Sequence, residues 1–181
     1  PANDRSMSIE GLVNIALALR HKEAPVGSDV SFGLEGRIAV LTGPNSGGKT
    51  TFLRSVGLAQ IIFQAGLFIP ARQARLSPVD AILTHFPALE TRQDGRLAEE
   101  AVRLREIFQR ATAHSFVLLN ETFSSTSAGE AIYLAQDILC GLRALGTRAL
   151  YATHLIELAH QLKSIESAID GDSHLFSLVA G

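Results

Sequence analysis

The chain contains Gly43-Pro44-Asn45-Ser46-Gly47-Gly48-Lys49-Thr50, which matches the pattern G-x-x-x-x-G-K-[ST] at every fixed position. An apolar run at residues 38–41 enters this stretch, and a helix-like segment at residues 51–65 leaves it. Glycines let successive backbone N–H groups curve around a polyphosphate, and the N-terminus of the following helix adds the positive end of a dipole. The sequence therefore predicts a phosphate-binding loop between a strand and a helix.

Two side chains of this loop are predicted to act on the phosphates of ATP or ADP and on a metal ion. Lys49 is expected to reach the β- and γ-phosphates, and the Thr50 hydroxyl is expected to bind Mg²⁺. The alternative is a glycine-rich turn that matches the pattern by chance, which the flanking strand and helix disfavour. The residues predicted to bind the nucleotide are Gly43, Pro44, Asn45, Ser46, Gly47, Gly48, Lys49, Thr50 and Thr51.

Composition limits the classes of protein to which the chain can belong. With 181 residues, of which 46% are hydrophobic, the chain is large enough for one α/β domain with a core. Its net charge is −2 and it has no block of Lys or Arg, so this segment is expected to bind duplex DNA poorly by itself. The lone Cys140 cannot form an internal disulfide, which indicates a reducing, cytoplasmic location. No apolar run is long enough for a membrane span, so no membrane partner is expected.

The order of the predicted elements indicates a mainly parallel sheet. Strands are expected at residues 37–42, 116–119 and 148–152, with an edge strand at 174–179 and a further candidate at 81–86. Helices are expected at residues 51–65, 97–114, 128–145 and 155–162. The expected apolar face of the helix at 97–114 consists of Leu97, Ala101, Leu104, Ile107 or Phe108, and Ala111. Strands that alternate with helices form βαβ units, so the fold class is α/β with helices on both sides of the sheet, a three-layer P-loop NTPase fold.

The beginning of the chain gives weaker signals than the rest. Residues 1–11 are polar and are expected to lack regular structure, while residues 12–19 fit either a short helix or a strand with a turn. The chain begins with Pro1 and its one methionine is Met7, so we expect a piece of a longer protein. Residues 1–24 are interpreted as a partly ordered N-terminal remnant, and residues 25–181 as the nucleotide-binding domain.

Further candidate site residues follow later strands, at the edge of the sheet where ligands bind in open α/β folds. Asn120 and Glu121 come directly after the apolar run at residues 116–119. Glu121 is expected to orient or deprotonate the attacking water. Asn120 is expected at the metal site, where its amide oxygen can accept a hydrogen bond from a metal-bound water but brings no negative charge. A solvated acid at the end of a strand is the alternative for Glu121.

His154 follows the strand at residues 148–152 and is expected to sense the γ-phosphate by hydrogen bonding. A structural histidine with a satisfied ring is the alternative. Ser127 ends a run of hydroxyl residues that begins at Ser124, and this run is expected to cap the helix that follows.

Together these motifs resemble the ATPase domain of the MutS family of DNA mismatch-repair proteins, a branch of the ABC ATPases. Residues 42–51 resemble the family's TGPNxGGKS/T loop, and residues 66–71 are similar to its G-x-x-V-P-A segment. Residues 120–127 occupy the place of D-E-x-x-x-G-T-S, and residues 152–158 that of A-T-H-x-x-E-L. The resemblance covers about residues 25–162. It implies an ABC-ATPase-like fold, Mg²⁺-dependent ATP hydrolysis with Lys49, Glu121 and His154 as catalytic residues, and Thr50 and Asn120 at the metal.

The chain departs from the family pattern at several positions that the resemblance makes important. Asn120 replaces an Asp, Val26 stands where the family has an aromatic residue against adenine, and Ser125 stands where a Gly is usual. The family's G-R-S-T segment reads Gly95-Arg96-Leu97-Ala98, so the hydroxyl that would touch the partner's γ-phosphate is missing. These departures predict weaker adenine binding and slow or partner-dependent hydrolysis.

The resemblance implies a nucleotide switch in a DNA repair or recombination protein. ATP binding and hydrolysis would change a dimer that forms through the nucleotide face and engages DNA through parts outside this chain. The alternative is a nucleotide-binding assembly module with little or no hydrolysis. The ATPase subunit of a transporter is disfavoured because the sequence has no L-S-G-G-Q motif.

Overall fold

A computed structural model describes residues 5–20, 25–34, 36–44, 47–87, 96–124 and 126–180. The strands are β1 (Met7–Leu12), β2 (Ser28–Phe32), β3 (Ile38–Thr42), β4 (Gln73–Leu76), β5 (Ile82–His85), β6 (Phe116–Asn120), β7 (Arg148–Ala152) and β8 (Leu175–Val179). The helices are α1 (Ile15–Arg20), α2 (Lys49–Gln64), α3 (Arg96–Arg110), α4 (Ala128–Leu145), α5 (Ile156–His160) and α6 (Leu162–Ala168).

A five-stranded parallel sheet in the order β5-β6-β7-β3-β8 forms the centre of the fold. Every residue of β3, β6 and β7 is buried, as expected for inner strands that are covered on both faces. The α/β class and the parallel sheet predicted from the sequence are confirmed, and β8 is the edge strand that residues 174–179 predicted.

Successive side chains of the inner strands enter two separate apolar cores. Val117, Leu119 and Tyr151 pack with α3, α4, α5 and α6 on one face of the sheet. Leu118 and Leu150 pack with α2 and with residues of a second, smaller sheet on the other face. The two-residue period of a strand explains this division, because neighbouring side chains point to opposite faces. The result is a layered arrangement with the central sheet covered on both sides.

The second sheet is antiparallel and has the strand order β2-β1-β4. Its middle strand is Met7–Leu12, which alternates between buried and exposed side chains along most of its length. The prediction that residues 1–11 lack regular structure is therefore wrong for residues 7–11. The polar side chains of this strand face away from the core, which made the strand look irregular in sequence. Helix α1 resolves the open choice at residues 12–19 in favour of a helix over most of that range.

The residues at the two ends of α4 explain where that helix begins and ends. Ser127 accepts a hydrogen bond from the Glu130 N–H at the start of α4, and Gly146 ends that helix with φ 66°.

The buried face of α3 differs from the prediction. Leu97 is 44% exposed and Ala101 is also exposed, whereas the predicted face had both buried. The buried stripe of α3 begins instead at Glu100. No helix in the described ranges is long and apolar enough to cross a membrane.

The contact between α2 and β6 gives a direct test of the packing. A Cβ added at Gly57 would lie 2.5 Å from Leu118 Cδ1, and Leu118 is buried in the central sheet. Overpacking of this kind costs about 1–3 kcal/mol, and the helix preference of alanine offsets roughly 0.5–1 kcal/mol. We expect Gly57→Ala to lower the free energy of unfolding by about 1 kcal/mol in a urea titration. Gly129→Ala, where an added Cβ meets nothing within 4 Å, is the matched control and is expected to leave stability equal or slightly higher.

Candidate functional site

The loops that follow β3, β6 and β7 meet at one edge of the parallel sheet. The Glu121 N–H donates to the Ala152 carbonyl at 2.8 Å, which joins the loop after β6 to the end of β7. The Thr153 N–H donates to the Leu41 carbonyl at 2.9 Å, which joins the loop after β7 to the end of β3. The sheet therefore brings together three segments that are far apart in the sequence.

The loop after β3 has the backbone geometry that its glycines predict. Gly43 has φ 147° and its missing side chain leaves room for the Ala180 carbonyl, which would lie 2.7 Å from an added Cβ. Gly48 has φ 75° and forms the N-cap of α2, and as a glycine it has no side chain that could cap the helix. The first N–H groups of a helix have no acceptor within the helix, so those of α2 can bind an anion. Asn45 and Ser46, also predicted to bind nucleotide, lie outside the described residues.

Lys49 lies under this loop with its side chain 2% exposed. Its Nζ donates to the Gly43 carbonyl at 2.8 Å and to the Pro44 carbonyl at 2.9 Å. The same Nζ is 3.6 Å from Glu121 Oε1. The ammonium group is thus held between the loop and the carboxylate that follows β6, and its charge is available to a phosphate that displaces either neighbour.

Thr50 and Asn120 face each other beside Lys49. The Thr50 hydroxyl donates to Asn120 Oδ1 at 3.0 Å. A hydroxyl and an amide oxygen are oxygen ligands of the kind that Mg²⁺ accepts while it keeps several waters. Both are neutral, so the pair fits a Mg²⁺ ion that receives most of its negative charge from bound phosphates.

The turn after β6 has an unusual backbone conformation. Glu121 has φ 47° and Phe123 has φ 58°, which are left-handed conformations that cost non-glycine residues about 1–3 kcal/mol each. The Phe123 N–H donates to Glu100 Oε2 at 2.5 Å, and the Thr122 hydroxyl shares a 2.8 Å hydrogen bond with the Tyr151 hydroxyl. Contacts to α3 and β7 thus hold the turn that carries the Glu121 carboxylate.

Tyr151 is fully buried beneath this turn and remains a neutral phenol. Burial is the largest effect on its hydroxyl and raises the pKa of Tyr151 to about 12, although the hydrogen bonds to Thr122 and Thr153 act in the opposite direction. The Thr153 hydroxyl in turn accepts from the Leu155 N–H at 3.1 Å. Tyr151 therefore links the turn after β6 to the loop after β7 at neutral pH.

His154 lies at the same edge of the sheet but is exposed. Within the described ranges its side chain makes no hydrogen bond or ion pair, so the structure does not join it to Lys49 or Glu121. The predicted sensor role of His154 remains a prediction. Thr51, also predicted to bind nucleotide, lines a cavity next to the loop.

That cavity has a volume of about 470 Å³ and lies beside the first turn of α2. Leu12, Leu17 and Pro25 form part of its apolar wall, with Val26 at the rim. Val26 stands where the family has an aromatic residue against adenine, and the role that this implies for the cavity remains a prediction. Leu17 belongs to α1, so residues assigned to the N-terminal remnant also line the cavity.

Residues 39–174 match the family model described as MutS domain V. The chain belongs to the MutS family. Over 165 residues it is 32% identical to a DNA mismatch repair protein MutS of Brevibacillus brevis, a match that covers 89% of this chain and 19% of that protein. Over 150 residues it is 39% identical to a probable DNA mismatch repair protein Msh6 of Drosophila melanogaster, covering 78% of this chain and 12% of the relative.

A third MutS-family relative is an endonuclease MutS2 of Thermus thermophilus. The two are 38% identical over 132 residues, which cover 71% of this chain and 18% of the relative. The chain thus spans less than a fifth of the length of these MutS relatives. The resemblance to the MutS family that was drawn from the motifs is confirmed, and the matched part of the family is its domain V.

Proposed function

We propose that this MutS domain V binds ATP·Mg²⁺ and hydrolyses it, and that the nucleotide switches a DNA-engaging dimer of the parent protein. The observation that carries the proposal is the position of Lys49, whose Nζ lies between two loop carbonyls and the Glu121 carboxylate. In this position the ammonium group can reach phosphates that the loop and the first turn of α2 bind. The membership of the chain in a family of DNA mismatch repair proteins supports the link to DNA.

Each residue of the site has a part in the proposed reaction. Lys49 and the free N–H groups at the start of α2 bind the phosphates and stabilise the charge that develops on the transferred phosphoryl group. Thr50 and Asn120 would hold Mg²⁺, which when bound would act as a Lewis acid and neutralise charge on the phosphate oxygens. Glu121 accepts a hydrogen bond from the attacking water and takes its proton as the water oxygen bonds to the γ-phosphorus. The bond between the γ-phosphorus and the oxygen that bridges it to the β-phosphate breaks in the same displacement, and ADP leaves with that oxygen. His154, in the loop after β7, senses the γ-phosphate by forming a hydrogen bond to it.

A binding titration and a phosphate-release assay test the proposal together. ATP and ADP are titrated into the chain by calorimetry with and without Mg²⁺, and phosphate release is followed over a range of protein concentrations. The proposal expects binding of both nucleotides and release that rises faster than linearly with protein concentration, because two copies act together. Absence of heat for either nucleotide would overturn it.

Asn120→Asp tests the metal part of the site. Aspartate can accept the same hydrogen bond from Thr50 and adds a negative charge toward Mg²⁺. We expect ATP affinity with Mg²⁺ to rise by about 10-fold or more. Without Mg²⁺ we expect affinity to fall, because the new carboxylate then repels the phosphates. Asp137→Asn, the reverse exchange of the same two side chains at an exposed position on α4, should leave both affinities unchanged.

The second candidate function is an assembly module that holds nucleotide without turnover. Two observations favour it: the neutral Asn120 at the metal position, and the exposed, apolar Leu97 in the first turn of α3 where the family carries a hydroxyl. Nucleotide binding with no phosphate release at any protein concentration would select this function over the first.

A further inference from the structure

Glu100 is a buried carboxylate outside the set of residues that the motifs identify. It lies in the first part of α3 and is 4% exposed, whereas its neighbour Glu99 is exposed. Acidic side chains are almost never fully buried unless they are paired. The burial of Glu100 thus indicates a contact that compensates for the loss of its hydration.

The contact that the structure describes is with the turn that carries Glu121. Glu100 Oε2 accepts the Phe123 N–H at 2.5 Å, a hydrogen bond that is strengthened by the charge of the carboxylate. Phe123 has φ 58°, and Glu121, two residues before it, has φ 47°. A backbone in this conformation persists only where its surroundings hold it, and Glu100 supplies one of those constraints from a different element of the fold.

The constraints on this turn leave Glu121 little freedom. The Glu121 N–H donates to the Ala152 carbonyl. The Thr122 hydroxyl shares a hydrogen bond with the Tyr151 hydroxyl, and the Phe123 N–H donates to Glu100 Oε2. The first two constraints come from β7, and the third comes from α3. Loss of the Glu100 contact would release the Phe123 N–H and allow the Glu121 carboxylate to move relative to Lys49.

We propose that Glu100 is a positioning residue, which fixes the Phe123 N–H and thereby aims the Glu121 carboxylate at the attacking water. The inference rests on the proposed function for its effect on hydrolysis, but the contact itself can be measured separately. The described hydrogen bond of Glu100 acts on the turn after β6, whereas the described contacts of Lys49 and Thr50 are with the phosphate loop, Glu121 and Asn120, so we expect Glu100 to affect the chemical step more than ATP binding.

The kinetic test compares Glu100→Ala, Glu100→Gln and Glu99→Gln in the full chain. Glu100→Ala is expected to lower kcat for ATP hydrolysis by about 10- to 100-fold, because small misplacements of a reacting group have effects of that size. The KM and Kd for ATP should change by less than about twofold, since the phosphate contacts are intact. Glu100→Gln should retain kcat within about fivefold of the unaltered chain, because an amide oxygen accepts the same N–H in a weaker hydrogen bond. Glu99→Gln should behave like the unaltered chain.

The structural test is amide hydrogen exchange at Phe123. We expect Glu100→Ala to speed exchange of this N–H by about 10-fold or more, and Glu99→Gln to leave it unchanged. If the unaltered chain releases no phosphate, the hydrolysis part of the proposed function fails, and exchange alone then decides whether Glu100 holds the turn. Unchanged exchange at Phe123 overturns the inference, as does a kcat for Glu100→Ala within twofold of the unaltered chain or an equal loss in Glu99→Gln.

Discussion

Replacement of Lys49 by alanine is expected to weaken ATP binding by about 100-fold or more, since loss of one partner of a buried charge pair costs about 2–5 kcal/mol. The Lys49 side chain is 2% exposed, and its ammonium group contacts two loop carbonyls and the Glu121 carboxylate. A phosphate can take the place of any of these groups as a partner of the ammonium. Without this group, a bound triphosphate would still contact the N-terminus of α2 but would lose the positive charge of the lysine. Calorimetric titration of ATP with Mg²⁺ measures the change directly.

The control for this prediction is Lys163→Ala, which removes an exposed lysine from α6. It should bind ATP with the affinity of the unaltered chain. Thermal unfolding of Lys49→Ala, followed by circular dichroism, establishes that the altered chain is folded under the conditions of the titration. A folded Lys49→Ala chain that binds ATP within threefold of the unaltered affinity would contradict the assignment of the loop as a phosphate site.

The strands of the central sheet could be predicted from the sequence because their residues fit few structures other than a buried strand. The inner strands are largely apolar runs, and β3 and β6 are each followed by a long helix. The helix after β6 has both ends marked in the sequence, by Ser127 at its start and Gly146 at its end. Such runs specify parallel strands buried on both faces. The order of the strands in the sheet could not be read in the same way, because it depends on contacts between segments distant in the sequence.

The antiparallel sheet shows where local reasoning failed. Residues 7–12 are a short strand whose polar residues alternate with apolar ones, and their partners lie at residues 28–32 and 73–76. Neither neighbour is close in sequence, so no hairpin turn indicated the pairing. The burial of Met7 and Ile9 comes from tertiary packing, which the polar appearance of the segment concealed.

The site divides in the same way between residues that motifs reveal and residues that only packing reveals. Lys49 and Glu121 were identified from the loop pattern and from the end of a strand, and the structure brings their charged groups within 3.6 Å. Glu100 was missed because the apolar face of α3 was drawn through Leu97 and Ala101. The spacing of Glu100 with Leu104, Ile107 and Ala111 was the available signal, since it places an acid in line with buried apolar residues.

Replacement of Glu121 by glutamine is expected to separate binding from hydrolysis. Glutamine preserves the shape of the side chain but cannot take a proton from water, and loss of a general base lowers rates by about 10²- to 10⁴-fold. We therefore expect kcat to fall by at least about 100-fold in a steady-state phosphate-release assay. The affinity for ATP should stay equal or rise slightly, because the carboxylate no longer competes with phosphates for Lys49 Nζ.

Glu106→Gln is the matched control for this change, because it removes an exposed acid from α3 that lies away from the turn. It should leave both kcat and ATP affinity unchanged. A kcat for Glu121→Gln within threefold of the unaltered chain would remove Glu121 from the reaction. If affinity fell while kcat held, Glu121 would instead be a support for the position of Lys49. The split between kcat and affinity matters because a hydrolysing switch requires the base, whereas a module that only holds nucleotide requires Lys49 and not Glu121.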